Sequence, residues 1–299
     1  MTNTSNSTYV KQASYGKTMV KFMKKDVCPE TKIHTVYEMD IQSMLSGELD
    51  ESYTKADNTI VVPTDTQKNT IYVFAKNNDV SVLEVFAAKL AKHFVDRYQH
   101  IHGAAVDITL TPWARMNVQG KPHNHSFIRD PSETRKTHVA FTEGKGFDVV
   151  SSLKDVLVLK STGSAFNKFH KCEFTTLPEV DDRIFSTSID CNYTFNQFST
   201  IDELSSYDFN YTYTSAKEIT LDTFALDDSA SVQATMYKMA DQIINKFPAV
   251  AEVFYGLPNK HYFEINLTPF DIDNHGDKCS LYQPQAYPSG YITCTVARK

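Results

Sequence analysis

No stretch of the 299-residue chain approaches the roughly 18–20 apolar residues of a membrane span. Positive charge is not in surplus either. Lys and Arg number 30 against 36 Asp and Glu, a formal net charge of −6. A nucleic-acid binder would carry a basic excess or a Lys/Arg run, and neither occurs. The opening residues MTNTSNSTYV lack both an apolar core and a basic lead. They read as a loose polar tail over about residues 1–10, not as a secretory signal. Cysteine is sparse: Cys28, Cys172, Cys191, Cys279 and Cys294 are odd in number, scattered, and never spaced as CxxC. That argues against a disulfide framework or a Cys-type zinc site, and fits a reducing intracellular compartment.

What is present is a core and many aromatics. Hydrophobic residues make up 41% of the chain, and 16 Tyr and 19 Phe suit a sheet-rich fold. The chain also echoes itself. SVLEVFAAKLAKHF (81–94) is followed by VDITLTPW (106–113), and SVQATMYKMADQII (231–244) is followed by FEINLTPF (263–270). Two matches in the same order predict a duplicated unit. Val82, Phe86, Leu90 and Phe94 share one helical stripe, as do Val232, Met236, Met239 and Ile243. Ser81 and Ser231 are expected to cap these helices, and Thr64-x-x-Gln67 reads as a capping box for an earlier one. Alternating stretches flank each helix pair, giving two strands, two helices and two strands, then the same again. The expected class is α+β: tandem domains, 1–144 and 145–299, each an antiparallel sheet with two helices on one face. The uncovered sheet face would pack on another subunit.

The most distinctive stretch is VLVLKSTGSAFNKFHKCEFTTLPEVDDR (156–183). Its Lys160, Ser161, Thr162, Ser164, Phe166, Phe169, Phe174, Leu177 and Arg183 resemble the pattern of the urate oxidase (uricase) family. SYTKADNTIVVPTD, HNHSFIRD, SASVQATMYKMA and LPNKHYFEI are similar to uricase segments too. The resemblance covers nearly the whole chain. It implies the tunnelling fold (T-fold), in which such tandem units oligomerise into a barrel, usually as a homotetramer with active sites at subunit interfaces. It also implies oxidation of urate by O2 with no cofactor and no metal.

Urate is a flat heteroaromatic anion, so its site needs a stacking plane, a fixed cation and paired hydrogen-bonding groups. Phe166 would supply the plane and Arg183 a rigid two-pronged donor. Gln233 can donate and accept at once, and the Val232 N–H lies at a helix start that favours an anion. In the echoed half the position aligned with Gln233 is Leu83. By resemblance, Thr64 and Asp65 belong to the opposite wall, from a neighbouring subunit. Lys17 would be the base, relaying protons through Thr64 and His261, while Thr64 and Asn259 hold dioxygen or water above the ring. Leu177 and Ile292 would line the apolar rim.

Plainer readings stand beside these. A lone Lys is usually solvated surface, Thr64 a helix cap, Gln233 an exposed helix residue, Asn259 turn chemistry and His261 a strand-edge residue. His123 with His125, and His100 with His102, share strand faces and could bind a metal, but no partner ligand is placed near them; structural or interface histidines are expected. The alternatives in function are a zinc-dependent purine or pterin hydrolase or cyclohydrolase on the same fold, and a non-catalytic purine-binding protein. By resemblance the location is the peroxisome. The TVARK end does not match a Ser-Lys-Leu-type tripeptide, so a genuine absence of that signal would mean the cytoplasm.

Overall fold

A computed structural model of the chain describes residues 8–129 and 133–299. Residues 1–7 of the polar start, and Asp130 of HNHSFIRD, lie outside the described residues. Two units are distinguished. The first comprises Met1–Ser151 with Phe195–Asn210, the second Ser152–Thr194 with Tyr211–Lys299.

The first unit runs β1 (Tyr15–Val27), β2 (His34–Gly47), α1 (Asp50–Thr54), α2 (Thr64–Asn77), α3 (Leu83–Arg97), β3 (Ile101–Thr111), β4 (Trp113–Val118), β5 (Lys121–Arg129) and β6 (Thr134–Thr142). It continues into β7 (Gly146–Lys160), and takes up the end of β8 (Phe185–Phe195) and α4 (Ile201–Ser206). Its main sheet has the order β1-β2-β3-β6-β7, antiparallel through β6. The pleat explains which face is covered. Met39, Ile41, Ser43 and Leu45 of β2 are buried and their alternating neighbours are not, so one face carries the core. Helix α2 packs on β1, and α3 packs on β3 and β6. IYVF within α2 has strand-like propensity, yet Gln67, Ile71 and Ala75 are its buried residues. That four-residue spacing is helical, and packing overrides propensity.

A buried network sits where α3 meets β6 and β7. Glu84 is fully buried and accepts from Arg135 Nη2 at 2.9 and 3.2 Å and from Ser151 Oγ at 2.6 Å. Arg135 Nη1 also donates to Asn210 Oδ1 at 2.7 Å. A second titratable pair is half-exposed: His138 Nδ1 lies 2.7 Å from Asp107 Oδ1. The bond to Asp107 raises the His138 pKa above its ordinary value, against partial burial. Its folded pKa is raised, so its stabilisation is fully present below the unfolded value near 6.5 and is lost as pH rises through the folded value. His138→Asn should therefore cost more stability at pH 5.5 than at pH 9, read as the difference in urea midpoints between variant and parent. An equal cost at both pH values would refute the linkage.

The second unit contains the rest of β7 and β8, then α5 (Phe209–Leu226) from Tyr211 onward, α6 (Val232–Lys246), β9 (Val250–Lys260), β10 (Tyr262–Glu264), β11 (Tyr282–Pro284) and β12 (Tyr291–Ala297). The sheet order is β7-β8-β9-β12, with β9 and β12 antiparallel, and α6 packs on both of these. Val232, Met236, Met239 and Ile243 are all buried, as their stripe predicts. The architecture is α+β, with antiparallel pairing and helices against the sheet.

Several local expectations are corrected. Ser231 does cap α6, accepting from Ala234 N at 3.2 Å. Ser81 does not cap α3. Its N–H and hydroxyl both donate to Asp79, at 2.9 and 2.7 Å, and the helix starts two residues later, at Leu83, with Val82 as an uncapped N-cap. The acceptor upstream captures the serine before the helix can. Nor is Thr64-x-x-Gln67 a capping box. Pro63 holds the cap position, Thr64 is the first helical residue, and Gln67 turns inward. The LTP echo is out of register as well. VDITLT lies in β3, and the run breaks at Pro112, which has no N–H for the ladder, before β4 begins at Trp113. After α6 the corresponding strand is β9, VAEVFYGLPNK. FEINLTPF forms only part of the short β10 and then a 3₁₀ turn over Thr268–Phe270. Asn259 and Lys260 close β9, and His261 lies between β9 and β10.

Candidate active site

In the second unit the site is built from a turn, a helix start and a strand end. After Lys160 closes β7 the chain turns through Gly163, whose φ of +73° is the left-handed conformation that glycine adopts without strain. Asp182 holds this turn. Its carboxylate accepts from Thr162 Oγ1, from Gly163 N at 2.8 Å, from Ser164 N at 3.2 Å and from Arg183 N at 3.0 Å. These bonds, the Thr162 hydroxyl foremost, hold its pKa below the usual carboxylate range. Phe166 then pairs with Val180, N to O at 2.8 Å and O to N at 3.0 Å. Its ring is stacked with Phe169 at 5.0 Å and 17°.

The Arg183 guanidinium lies 5.1 Å from the Phe166 ring centre. It is half-buried, and burial pushes its pKa down. Among the described residues no carboxylate pairs with it, because the adjacent Asp182 is committed to the turn. A half-buried cation without a partner is costly, and an anionic ligand would supply what is missing. Close by in the fold of this unit, Ser229 bridges the turn, accepting from Ala165 N at 2.8 Å and donating to Gly163 O at 2.9 Å. Ser229 leads into α6, whose first two residues are Val232 and Gln233. Val232 is buried; Gln233 is exposed and makes no side-chain hydrogen bond among the described residues. The first N–H groups of a helix lack intrahelical acceptors, so this end attracts an anion.

Asn259, near the end of β9, donates its N–H to Gly290 O at 2.8 Å, but its buried Oδ1 has no partner among the described residues. A Cβ at Gly290 would stand 3.6 Å from Asn259 Nδ2 and 3.8 Å from Ile292 Cδ1, so these groups border one space. His261 stacks on Phe263 at 5.9 Å, and its carbonyl accepts from Gln285 N. Leu177 is exposed.

Lys17, Thr64 and Asp65 belong to the first unit. Lys17 lies in β1 opposite Ser43 of β2, and a bulge follows at once between Lys17 and Val20, with Met19 at φ 59°. Tyr15, two residues earlier and on the same strand face, accepts from Val62 N at 2.8 Å through its hydroxyl. That contact ties β1 to the entry of α2, where Thr64 and Asp65 are the first residues. Asp65 bonds Lys68 and Asn69; its pKa is lowered, chiefly by Lys68, with Lys17 contributing through its charge. Gly16 cannot be replaced freely, since a Cβ there would stand 1.7 Å from the Ser43 carbonyl oxygen.

Behind Lys17 a buried pair is only half satisfied. Ser43 Oγ donates to Gln67 Oε1 at 2.9 Å, while Gln67 Nε2 has no partner among the described residues. Removing one partner alone strands the other, at a cost of about 1–3 kcal/mol, whereas an apolar pair can be neutral or better. Gln67→Leu should thus lower the denaturant midpoint, and adding Ser43→Val should restore or exceed the parent value. A double variant less stable than either single one would contradict this.

Helix position revises the comparison of the two halves. α3 and α6 each have 15 residues and start at Leu83 and Val232. The counterpart of Gln233 is therefore Glu84, not Leu83, and Glu84 is already occupied by Arg135. The serine-to-serine alignment missed this because Ser81 sits outside its helix. Asp182 and Ser229 were not singled out from sequence at all; the one hint is an acid directly before Arg183. The histidines lie elsewhere. His123 and His125 meet edge to face in β5, ring centres 4.5 Å apart, and His102 bonds Glu48 and Glu143. Among the described residues no group of three or more His, Cys, Asp or Glu is arranged to hold a metal ion.

Within this α+β fold, Arg183 and Phe166 meet beside a turn that main-chain bonds tie to the segment leading into α6. Comparison with known proteins is specific. The family model for uricase matches residues 13–140 and 149–293. The chain is 81% identical over 295 residues to uricase of Schizosaccharomyces pombe, covering 99% of this chain and 100% of that one. It is 49% identical to uricase of Aspergillus flavus, covering 97% of each. The crystal structure of uricase from Arthrobacter globiformis superposes with a TM-score of 0.88 at 32% identity, covering 98% of this chain and 96% of that one. The chain belongs to the uricase family.

Proposed function

We propose that the chain is a urate oxidase: urate, O2 and water become 5-hydroxyisourate and hydrogen peroxide, with no cofactor. Family membership supports this reading and does not favour a zinc hydrolase or a passive binder. The observation that carries it is the uncommitted guanidinium of Arg183 held against the Phe166 ring. Arg183 grips a carbonyl and the adjacent ring nitrogen, Phe166 stacks on the ring, and Gln233 with the Val232 N–H takes the imide edge. The backbone N–H groups of Thr64 and Asp65 face the imidazole side. Lys17 removes a second proton, with Thr64 and His261 as relay, and the resulting dianion is reducing enough to pass an electron to O2. Asn259, whose Oδ1 lacks a partner, holds dioxygen or water above the ring together with Thr64. Recombination gives a hydroperoxide, which loses hydrogen peroxide and adds water.

On this reading the two walls come from different copies. Lys17, Thr64 and Asp65 of one subunit face Phe166, Arg183 and Gln233 of another, in tandem T-fold domains that close into a homotetrameric barrel. The exposed Met19 and Met23 of β1 are apolar surface available for such burial. The proposed location is the peroxisome, where the peroxide formed can be removed. The function is tested by mixing the protein with urate in air and a metal chelator. Loss of urate absorbance should match O2 uptake and peroxide release mole for mole; urate loss without O2 uptake would overturn the reading.

A further inference from the structure

Two parts of the proposed site that are distant in sequence must be held at a fixed spacing: the turn bearing Phe166, and the first turn of α6 bearing Val232 and Gln233. Behind them the side chains converge on Thr235. This residue is fully buried. Its hydroxyl donates to Asp227 Oδ2 at 2.8 Å and lies 2.8 Å from Ser229 Oγ and 3.3 Å from the Ser231 carbonyl. One proton and two lone pairs allow it to donate to the carboxylate while accepting from Ser229. Asp227 is fixed independently, by Lys238 at its other oxygen and by Lys160 Nζ on its carbonyl at 2.6 Å. Ser229 is in turn the residue whose main chain clasps Gly163 and Ala165 on both sides of Ser164. An unbroken run of hydrogen bonds therefore leads from the Phe166 turn through Ser229 and Thr235 into α6.

We propose that Thr235 is a positioning residue, whose buried hydroxyl sets the distance between the stacking ring of Phe166 and the Val232 and Gln233 donors. The inference rests on the proposed urate site and adds a residue that does not touch the ligand. Valine has the shape of threonine without the hydroxyl, so Thr235→Val removes the tie and leaves the volume. Misplacing a binding group by about 1 Å costs up to about 10²-fold. T235V should raise both KM for urate and the dissociation constant of a xanthine-type inhibitor by roughly tenfold. T235S, which keeps the hydroxyl, should stay within about twofold of the parent. Thr220 supplies the control: it is buried in the same unit, and its hydroxyl bonds Tyr255 at 2.6 Å. T220V should lower the melting temperature as much as T235V while leaving KM and inhibitor affinity unchanged. Should T235V fail to fold, Ser229→Ala breaks the same link from outside the helix and should give the same rise. Inhibitor binding by T235V or S229A equal to the parent's would overturn the inference alone. So would an equal loss in T220V. A parent protein that bound no purine anion would overturn the functional reading with it.

Discussion

Replacing Lys17 by Met is expected to slow urate turnover by about 10²–10⁴-fold while leaving the affinity for a planar purine inhibitor nearly unchanged. Methionine keeps the length and apolar stem of lysine and removes the amine that would take the proton. The site's ring, guanidinium and helix start all lie on other elements, so binding persists. The geometry around Lys17 supports a role confined to one spot. The Tyr15 hydroxyl on Val62 N ties β1 to the entry of α2, and Lys17 acts on Asp65 there through its charge. Steady-state kinetics with inhibitor titration checks this. Unchanged turnover would remove Lys17 from the chemistry, and a parallel collapse of inhibitor affinity would make it a binding residue instead.

Arg183→Gln should act in the opposite way, raising KM and weakening inhibitors by about 10²-fold or more. Charge-assisted hydrogen bonds are worth about 1.5–3 kcal/mol each, and a two-pronged contact loses two. Arg183→Lys should recover little, because a point charge cannot reproduce the planar fork. Stability should hardly change, since no carboxylate of the described residues depends on the guanidinium. A melting temperature near the parent's with a greatly raised KM is the expected pair of results. A destabilised variant of normal KM would mean that Arg183 serves the fold.

The pattern of what could be read from sequence has physical causes. Stripes at helical spacing were legible because burial enforces them: Phe86, Leu90 and Phe94 in α3, and Met236, Met239 and Ile243 in α6, all face the core. Ser231 was readable as a cap because, among the described residues, its hydroxyl bonds Ala234 N and nothing else. Ser81 was not, because Asp79 does compete, and that one-residue error propagated to pairing Gln233 with Leu83. The two LTP motifs misled for a related reason. Local similarity says nothing of which strand pairs, and pairing placed VDITLT in β3 but left FEINLTPF largely outside the sheet. Phe166 and Arg183 were recognisable by spacing to a known family, and they do meet. Asp182 and Ser229, which bring that meeting about, were invisible, since their work depends on contacts with Gly163 and Ala165 that spacing does not encode. The buried Glu84–Arg135 pair joins residues 51 positions apart, and no local rule links them.

The most direct measurement of the proposed split site uses two inactive proteins. Lys17→Met and Arg183→Gln are each expected to be nearly inactive alone at low urate concentration. After dissociation and joint reassembly, a site with Arg183 from one chain and Lys17 from the other is intact. Random pairing of equal amounts then gives about a quarter of the parent activity. Recovery near that level would bear out a pocket lined by two copies. Joint assembly, verified by differently tagged chains, with no activity recovered would contradict it.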